Sequence, residues 1–261
     1  MSKTLILSDI HFRNRSSNVQ SIEQLQPLWK GCDAVILNGD TSELHCTGLV
    51  EQSKIAVKKI EQLTKEDGVE LSLICGNHDP TISDLQHLWF HNNQTLVFHG
   101  HAPIKGLAPW SWRYKHIVKS VSEYLEESGD GFHEQLAAAR EASITAATGG
   151  YNQYRPNPFH MLLLGVPASV QVLRCWWMYP SVVADWVSRY APSAKFAITG
   201  HTHHAGVWRR GGITILNTGC YGFPSHPRAV VLDGNTITLH KVRKRKNGFA
   251  LGGVYESWSA R

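Results

Sequence analysis

The chain has 261 residues, with 26 Lys+Arg against 21 Asp+Glu, a formal net charge of +5 with histidine neutral. Hydrophobic residues make up 42% and charged residues 18%, so the chain can bury a core and is not intrinsically disordered. Lys241, Arg243, Lys244, Arg245 and Lys246 carry as much charge as the whole excess; the rest is near neutral, and no general affinity for nucleic acid is expected.

The apolar runs alternate with helix-like stretches along the first hundred residues. Leu5-Ile6-Leu7 leads to Asp9, and Ala34-Val35-Ile36-Leu37 leads to Asn38-Gly39-Asp40. Glu70 to Cys75 leads to Gly76-Asn77-His78-Asp79, and Thr95-Leu96-Val97-Phe98 leads to His99-Gly100-His101. Between them, Val19 to Trp29 and Leu49 to Leu63 place apolar residues at helical spacing. Continuous apolar strands between helices predict a sheet buried on both faces.

That rhythm stops over about 103–193, where the pattern predicts helices near Lys115–Glu127, His133–Ala147, Phe159–Trp177 and Pro180–Tyr190. It returns at Lys195-Phe196-Ala197-Ile198, followed by Thr199-Gly200-His201-Thr202-His203. A β-rich end completes the chain: Val207–Arg209, Ile213–Leu216, and a hairpin of Ala229–Leu232 and Thr236–Val242 around Asp233-Gly234-Asn235. The expected architecture is a single α/β domain over 1–261, a β-rich two-sheet core interrupted by a helical insertion at about 103–193.

Five cysteines (Cys32, Cys46, Cys75, Cys175, Cys220) form no close pair, which fits a reducing compartment and excludes a thiolate zinc site. Met1 leads almost directly into Thr4 to Leu7 without an apolar signal segment. The most apolar stretch, Phe159 to Tyr179, is interrupted by Pro167, Gln171 and Arg174, so no membrane span is expected. The expected location is cytoplasmic. The anomaly is histidine, with 15 copies, several in tight pairs.

Every polar cluster follows an apolar strand, so all can meet at one sheet edge. Asp9-Ile10-His11 and His201-Thr202-His203 each space two ligands by two residues, which share a side in extended backbone. Asp40, Asn77 and His99 add a carboxylate, an amide oxygen and an imidazole. Seven O/N ligands without thiolate exceed one tetrahedral zinc and suit two metals around a bridging carboxylate. Phosphate esters, whose uncatalysed hydrolysis is among the slowest known, need such a site.

These residues resemble the calcineurin-like metallophosphoesterase superfamily. Its pattern is met by Asp9-Ile10-His11, Gly39-Asp40, Gly76-Asn77-His78-Asp79, His99 and Gly200-His201-Thr202-His203, within residues 1–101 and about 194–240. The resemblance implies two mixed β-sheets packed as a sandwich flanked by helices. It implies one metal on Asp9, His11 and His203, another on Asn77, His99 and His201, and Asp40 bridging both. A metal-bridging hydroxide would attack phosphorus while His78 protonates the leaving oxygen, with Asp79 orienting its imidazole. The two cofactors would be divalent or trivalent Mn, Fe, Zn or Co.

Asp40 is followed by Thr41-Ser42-Glu43-Leu44, unlike the Asp-Arg-Gly element of the protein phosphatases, and Glu43 stands where purple acid phosphatases place a metal-binding tyrosine. His78 stands where the hydrolases of UDP-diacylglucosamine carry Arg. The expected enzyme is therefore a phosphoric ester hydrolase, a phosphatase or phosphodiesterase, acting on a small phosphorylated substrate. The alternatives are a catalytically inactive interaction scaffold of the same fold or a nuclease. Oligomeric state is not legible.

Beside the ligands, His101 is a candidate for substrate binding, as is His204, and Arg13 and Arg15 for an anionic group. The Lys241–Lys246 run is a candidate to touch RNA or acidic lipid, but reads first as a solvated edge strand or tail. Trp110, Trp112, Trp176, Trp177 and Trp186 are five of nine tryptophans. Most fit the insertion's own small core, with Trp110 and Trp112 the better candidates for a lid over the metals.

Overall fold

Alternate residues of each apolar run face opposite layers in the computed structural model, which describes residues 2–104, 106, 114–148, 158–222 and 226–260, without the side chains of 147–148 and 158–168. In chain order the elements are β1 (Lys3–Leu7), α1 (Gln26–Trp29), β2 (Ala34–Asn38), α2 (Val50–Glu66), β3 (Glu70–Ile74), β4 (His87–Phe90) and β5 (Thr95–Phe98). Then come α3 (Tyr114–Ser128), α4 (Phe132–Thr148), α5 (Pro158–Tyr190), β6 (Phe196–Thr199), β7 (Gly206–Arg210) and β8 (Ile213–Asn217). The last three are β9 (Arg228–Asp233), β10 (Thr236–Arg245) and β11 (Gly248–Ser259).

Two mixed sheets result, one ordered β11-β10-β9-β1-β2-β3 and the other β4-β5-β6-β8-β7. Ile6, Ile36, Val97, Ile198, Leu216 and Leu239 fill the layer between them. On the far side of the first sheet, Leu5, Leu7, Val35 and Leu37 meet Ala56, Ile60 and Leu63 of α2. On the far side of the second, Leu96, Phe98 and Ile215 meet Tyr179, Val183 and Val187 of α5. The central strands of each sheet are thus buried on both faces, and the architecture is the expected α/β sandwich flanked by helices.

Several local expectations change. Val19 to Trp29 forms a 3-10 turn at Ile22–Gln24 and the single-turn α1, because Pro27 lacks an N–H and sits in the first turn of α1. The apolar spacing still serves burial, since Val19, Ile22, Leu25, Leu28 and Trp29 are all inside. The two helices expected around Pro180 are one continuous α5. Packing of Tyr179, Val183, Ala184 and Val187 against the second sheet holds the helix through a proline that would otherwise cost it about 3 kcal/mol. The charged run is neither tail nor edge: β10 lies between β9 and β11, and the glycine-bearing β11 escapes a pattern search for apolar alternation. The short β4 escapes it too.

Trp186 packs on Phe98 of the second sheet with ring centroids 5.3 Å apart, so it belongs to the main core rather than to a separate core of the insertion. Trp177 is 83% exposed. Trp110 and Trp112, the expected lid residues, lie outside the described residues. No helix among those described is long and apolar enough to cross a membrane.

Candidate metal centre

The polar loops follow β1, β2, β3, β5 and β6, so the site spans the carboxyl ends of both sheets rather than the edge of one. Nor are the ligand pairs extended. Asp9, His11, Asp40, His201 and His203 have φ of 50°, 48°, 50°, 68° and 58°, and it is this left-handed turn, not strand alternation, that aims each pair inward. Such φ values carry strain for residues with a side chain and concentrate at functional sites. Gly39 has φ of 80°, and a Cβ there would collide with the His99 ring; a Cβ on Gly76 would strike Asp40.

The seven expected ligands converge. Ligand atoms of Asp9, His11 and His203 lie within 4.8 Å of one another, as do those of Asp40, His99 and His201. Asn77 Oδ1 is 2.7 Å from His201 Nδ1 and 3.2 Å from His99 Nε2. Asp40 Oδ2 lies 3.6 Å from His11 Nε2 and 3.3 Å from His99 Nε2, between the two groups. Outer contacts set the histidine tautomers: His99 Nδ1–H donates to Asn38 O at 2.9 Å and His11 Nδ1–H to Glu43 Oε1 at 2.8 Å. Both Nε2 atoms are left facing inward, the arrangement that carboxylates and carbonyls behind metal-binding histidines enforce.

The charges support the same use. Burial raises the Asp40 pKa, yet His99, His78 and His11 more than reverse it and hold the carboxyl well below its usual range. Burial acts on Asp9 in the same direction, and His203 and His99 again outweigh it, leaving that carboxyl lowered. Burial lowers the His99 pKa, but Asp40 and Asp9 raise it to about 9. Protons on histidines thus balance buried carboxylates in the metal-free protein. His11 Nε2 and His203 Nε2 face each other at 2.9 Å, a contact that needs a shared proton or a cation. An O/N donor set of this kind fits hard or borderline divalent cations.

The expected contact of Asp79 with His78 is not made. Asp79 is fully buried and accepts the backbone N–H groups of Gly76, Asp40, Thr41 and Ser42 at 2.7–3.2 Å. It therefore ties the loop after β3 to the loop after β2, and burial with the neighbouring Asp40 pushes its carboxyl up to about 7 against those donors. Glu43 takes the orienting place instead: its Oε2 accepts from His78 Nδ1–H at 2.9 Å while Oε1 accepts from His11 and from Asn14 Nδ2. Adjacency in sequence favours Asp79, and the signal that points to Glu43 is a carboxylate three residues beyond Asp40. Burial lowers the His78 pKa, but Glu43 and Asp40 raise it to about 9, so His78 carries a proton at neutral pH.

His101 is 5% exposed, and neither ring nitrogen has a hydrogen-bond partner among the described residues. Its ring lies 5.3 Å from that of His99 and 6.0 Å from that of His201, buried behind them, and burial together with His99 and His201 holds its pKa well below the usual range. His204 stacks on Trp176 at 4.7 Å, and Trp176 Nε1–H donates to Thr202 O at 2.7 Å. Arg13 and Arg15 are exposed on the loop after His11.

No curated protein matches the chain. Among solved structures it is similar to Vps29 from Chaetomium thermophilum (10% identity, 99% of this chain and 95% of that chain, TM-score 0.49). It is also similar to Vps29 complexed with zinc from Entamoeba histolytica (14%, 99% and 99%, 0.47) and to a dimetal phosphatase from Danio rerio (11%, 91% and 95%, 0.46). The model of the calcineurin-like phosphoesterase superfamily domain matches residues 3–237. With nine-tenths of its length inside that match, the chain belongs to the calcineurin-like phosphoesterase superfamily.

Proposed function

We propose that the chain is a metal-dependent hydrolase of phosphate mono- or diesters. In this reading Asp9, His11 and His203 hold one cation, Asn77, His99 and His201 hold a second, and Asp40 lies between them. The observation that supports it best is Asp40 Oδ2, within 3.6 Å of a histidine Nε2 from each group. Mn, Fe, Zn and Co all suit the donors. A metal pair supplies a water acidified toward a pKa of about 7 and positive charge against the phosphoryl oxygens.

The remaining work falls to the chain's own groups. Glu43 fixes His78 through Nδ1, leaving Nε2 to give its proton to the leaving oxygen as the P–O bond breaks. The His78 side chain is 27% exposed, so it can meet a substrate and afterwards recover its proton from solvent. Glu43 also holds His11, so one carboxylate sets both a metal ligand and the acid.

The test is hydrolysis of nitrophenyl and alkyl phosphate mono- and diesters after reconstitution with manganese. At least one ester is cleaved, and His78→Ala keeps the metal while losing about 10²–10⁴ in turnover. The loss is smaller for nitrophenolate, which leaves without a proton. Failure to cleave any ester in the metal-loaded state contradicts the reading, and an equal loss for good and poor leaving groups removes His78 from its role.

A further inference from the structure

Two features beside the metal centre have no part in ester hydrolysis as derived from Asp40, Glu43 and His78. The first is a row of rings. Trp176 stacks on His204 at 4.7 Å, His204 meets Trp208 edge-on at 5.4 Å, and His204 directly follows the ligand His203. The Arg228 guanidinium lies 4.0 Å over the ring of Tyr255, which is 49% exposed, and the neighbouring Glu256 pairs with Arg209, next to Trp208.

The second is the basic end of β10. Lys241 pairs with Arg228 across the β9–β10 register, and Arg228 N–H donates to Thr218 O at 2.8 Å. Thr218 Oγ1 in turn meets Ser8 Oγ, next to Asp9. Lys241 is therefore level with the metal end of β1, one strand removed, about 10 Å to the side at ordinary strand spacing. Val242 packs into the helix-side core of the first sheet, so Arg243 and Arg245 continue past that level on the same face as Lys241, and Lys246 follows the strand. Lys244 Nζ donates to Asn18 O, and Asn18 N–H to Tyr221 O, whose own N–H donates to Asp9 O. All five cations of the run are exposed, and none pairs with a carboxylate among the described residues. Arg209 differs, being paired with Glu256.

We propose that the substrate is a single-stranded nucleic acid whose bases stack on Trp176, His204, Trp208 and Tyr255 and whose phosphates follow Arg228 and the face of β10 that carries Lys241, Arg243 and Arg245. Rings beside a line of cations are the two parts such a strand requires, whereas a duplex hides the base faces that the rings would grip. The inference rests on the phosphoesterase reading. It makes the scissile group an internal phosphodiester: water adds to phosphorus, one P–O bond breaks, and the products are a phosphate monoester and a hydroxyl that takes the His78 proton.

The experiment measures binding of a fluorescent twelve-nucleotide oligothymidylate to the full chain at several salt concentrations, separately from its cleavage and from hydrolysis of bis(p-nitrophenyl) phosphate. The triple variant Lys241→Glu/Arg243→Glu/Arg245→Glu weakens binding at least tenfold and flattens the salt slope by about 2, the value for three lost phosphate contacts. Tyr255→Ala weakens binding about tenfold with little change in that slope. Trp176→Ala does the same if it folds, and Tyr255, on an exposed strand, keeps the test valid if it does not. Lys58→Glu, on α2, leaves binding unchanged. Binding of a duplex as tight as of the single strand, or binding indifferent to both sets of variants, overturns the proposal. Hydrolysis of the small diester with no oligonucleotide binding also overturns it while leaving the phosphoesterase reading in place. Binding without hydrolysis of either compound sinks the phosphoesterase reading and not the surface.

Discussion

The loops at the strand ends and the helical layer of α3, α4 and α5 obey different constraints. In the loops, residue type is set by chemistry: a histidine that presents Nε2 to Asp40 cannot be exchanged for another polar residue. In the helices, many apolar side chains of similar volume serve, and what matters is which face they occupy. The first region is therefore intolerant of substitution in function and the second in stability, and the two can be separated by experiment.

The largest effect is expected at Asp40. Asp40→Ala removes the carboxylate facing both donor groups, so metal content measured by elemental analysis falls and ester hydrolysis drops to background. Retention of full metal and activity would erase the distinction between loops and helices. Glu43→Gln is expected next, with a 10–100-fold loss in metal affinity or turnover, since it weakens both His11 and His78 from behind. The same change lowers the His78 pKa toward its ordinary value, so the alkaline limb of the rate profile moves down in pH. Asp79→Asn lacks that signature: it loosens the loop tie to four backbone amides and lowers thermal stability without moving the profile.

In the helical layer, Trp186→Ala costs about 3–5 kcal/mol of stability by denaturant melting, because the ring is 7% exposed and stacked on Phe98. Trp177→Ala, at 83% exposure, stays within about 0.5 kcal/mol. Comparable losses for the two would contradict the burial assigned to α5.

Metal uptake itself carries a pH dependence. His99, a proposed ligand, holds a proton up to about pH 9 in the metal-free protein and would have to release it to coordinate. Below that pH the affinity rises by about tenfold per unit for each proton displaced, and it levels off above it. Calorimetry in buffers of different ionisation enthalpy reads the released protons directly.

The proposed metal ligands are legible in the sequence because their types and order are demanded by the chemistry, and strand ends deliver them together. The backbone that delivers them is not. Extended alternation suffices to pair Asp9 with His11 along the sequence, whereas positive φ at both pairs them in the fold. The partner of His78 escapes a sequence reading because adjacency along the chain says little once a loop turns: Asp79 points to backbone amides, and Glu43 arrives from another loop. Pro180 inside α5 shows the opposite limit, where packing overrides a local signal. The position of the basic run is likewise invisible, since only the β9–β10 register sets it level with Asp9.

The most direct test of the central claim is anomalous diffraction from crystals of the full chain grown with manganese. Two peaks are predicted, one among Asp9, His11 and His203 and one among Asn77, His99 and His201, with Asp40 within bonding distance of both. A single peak, or peaks elsewhere with these seven side chains unliganded, would contradict it.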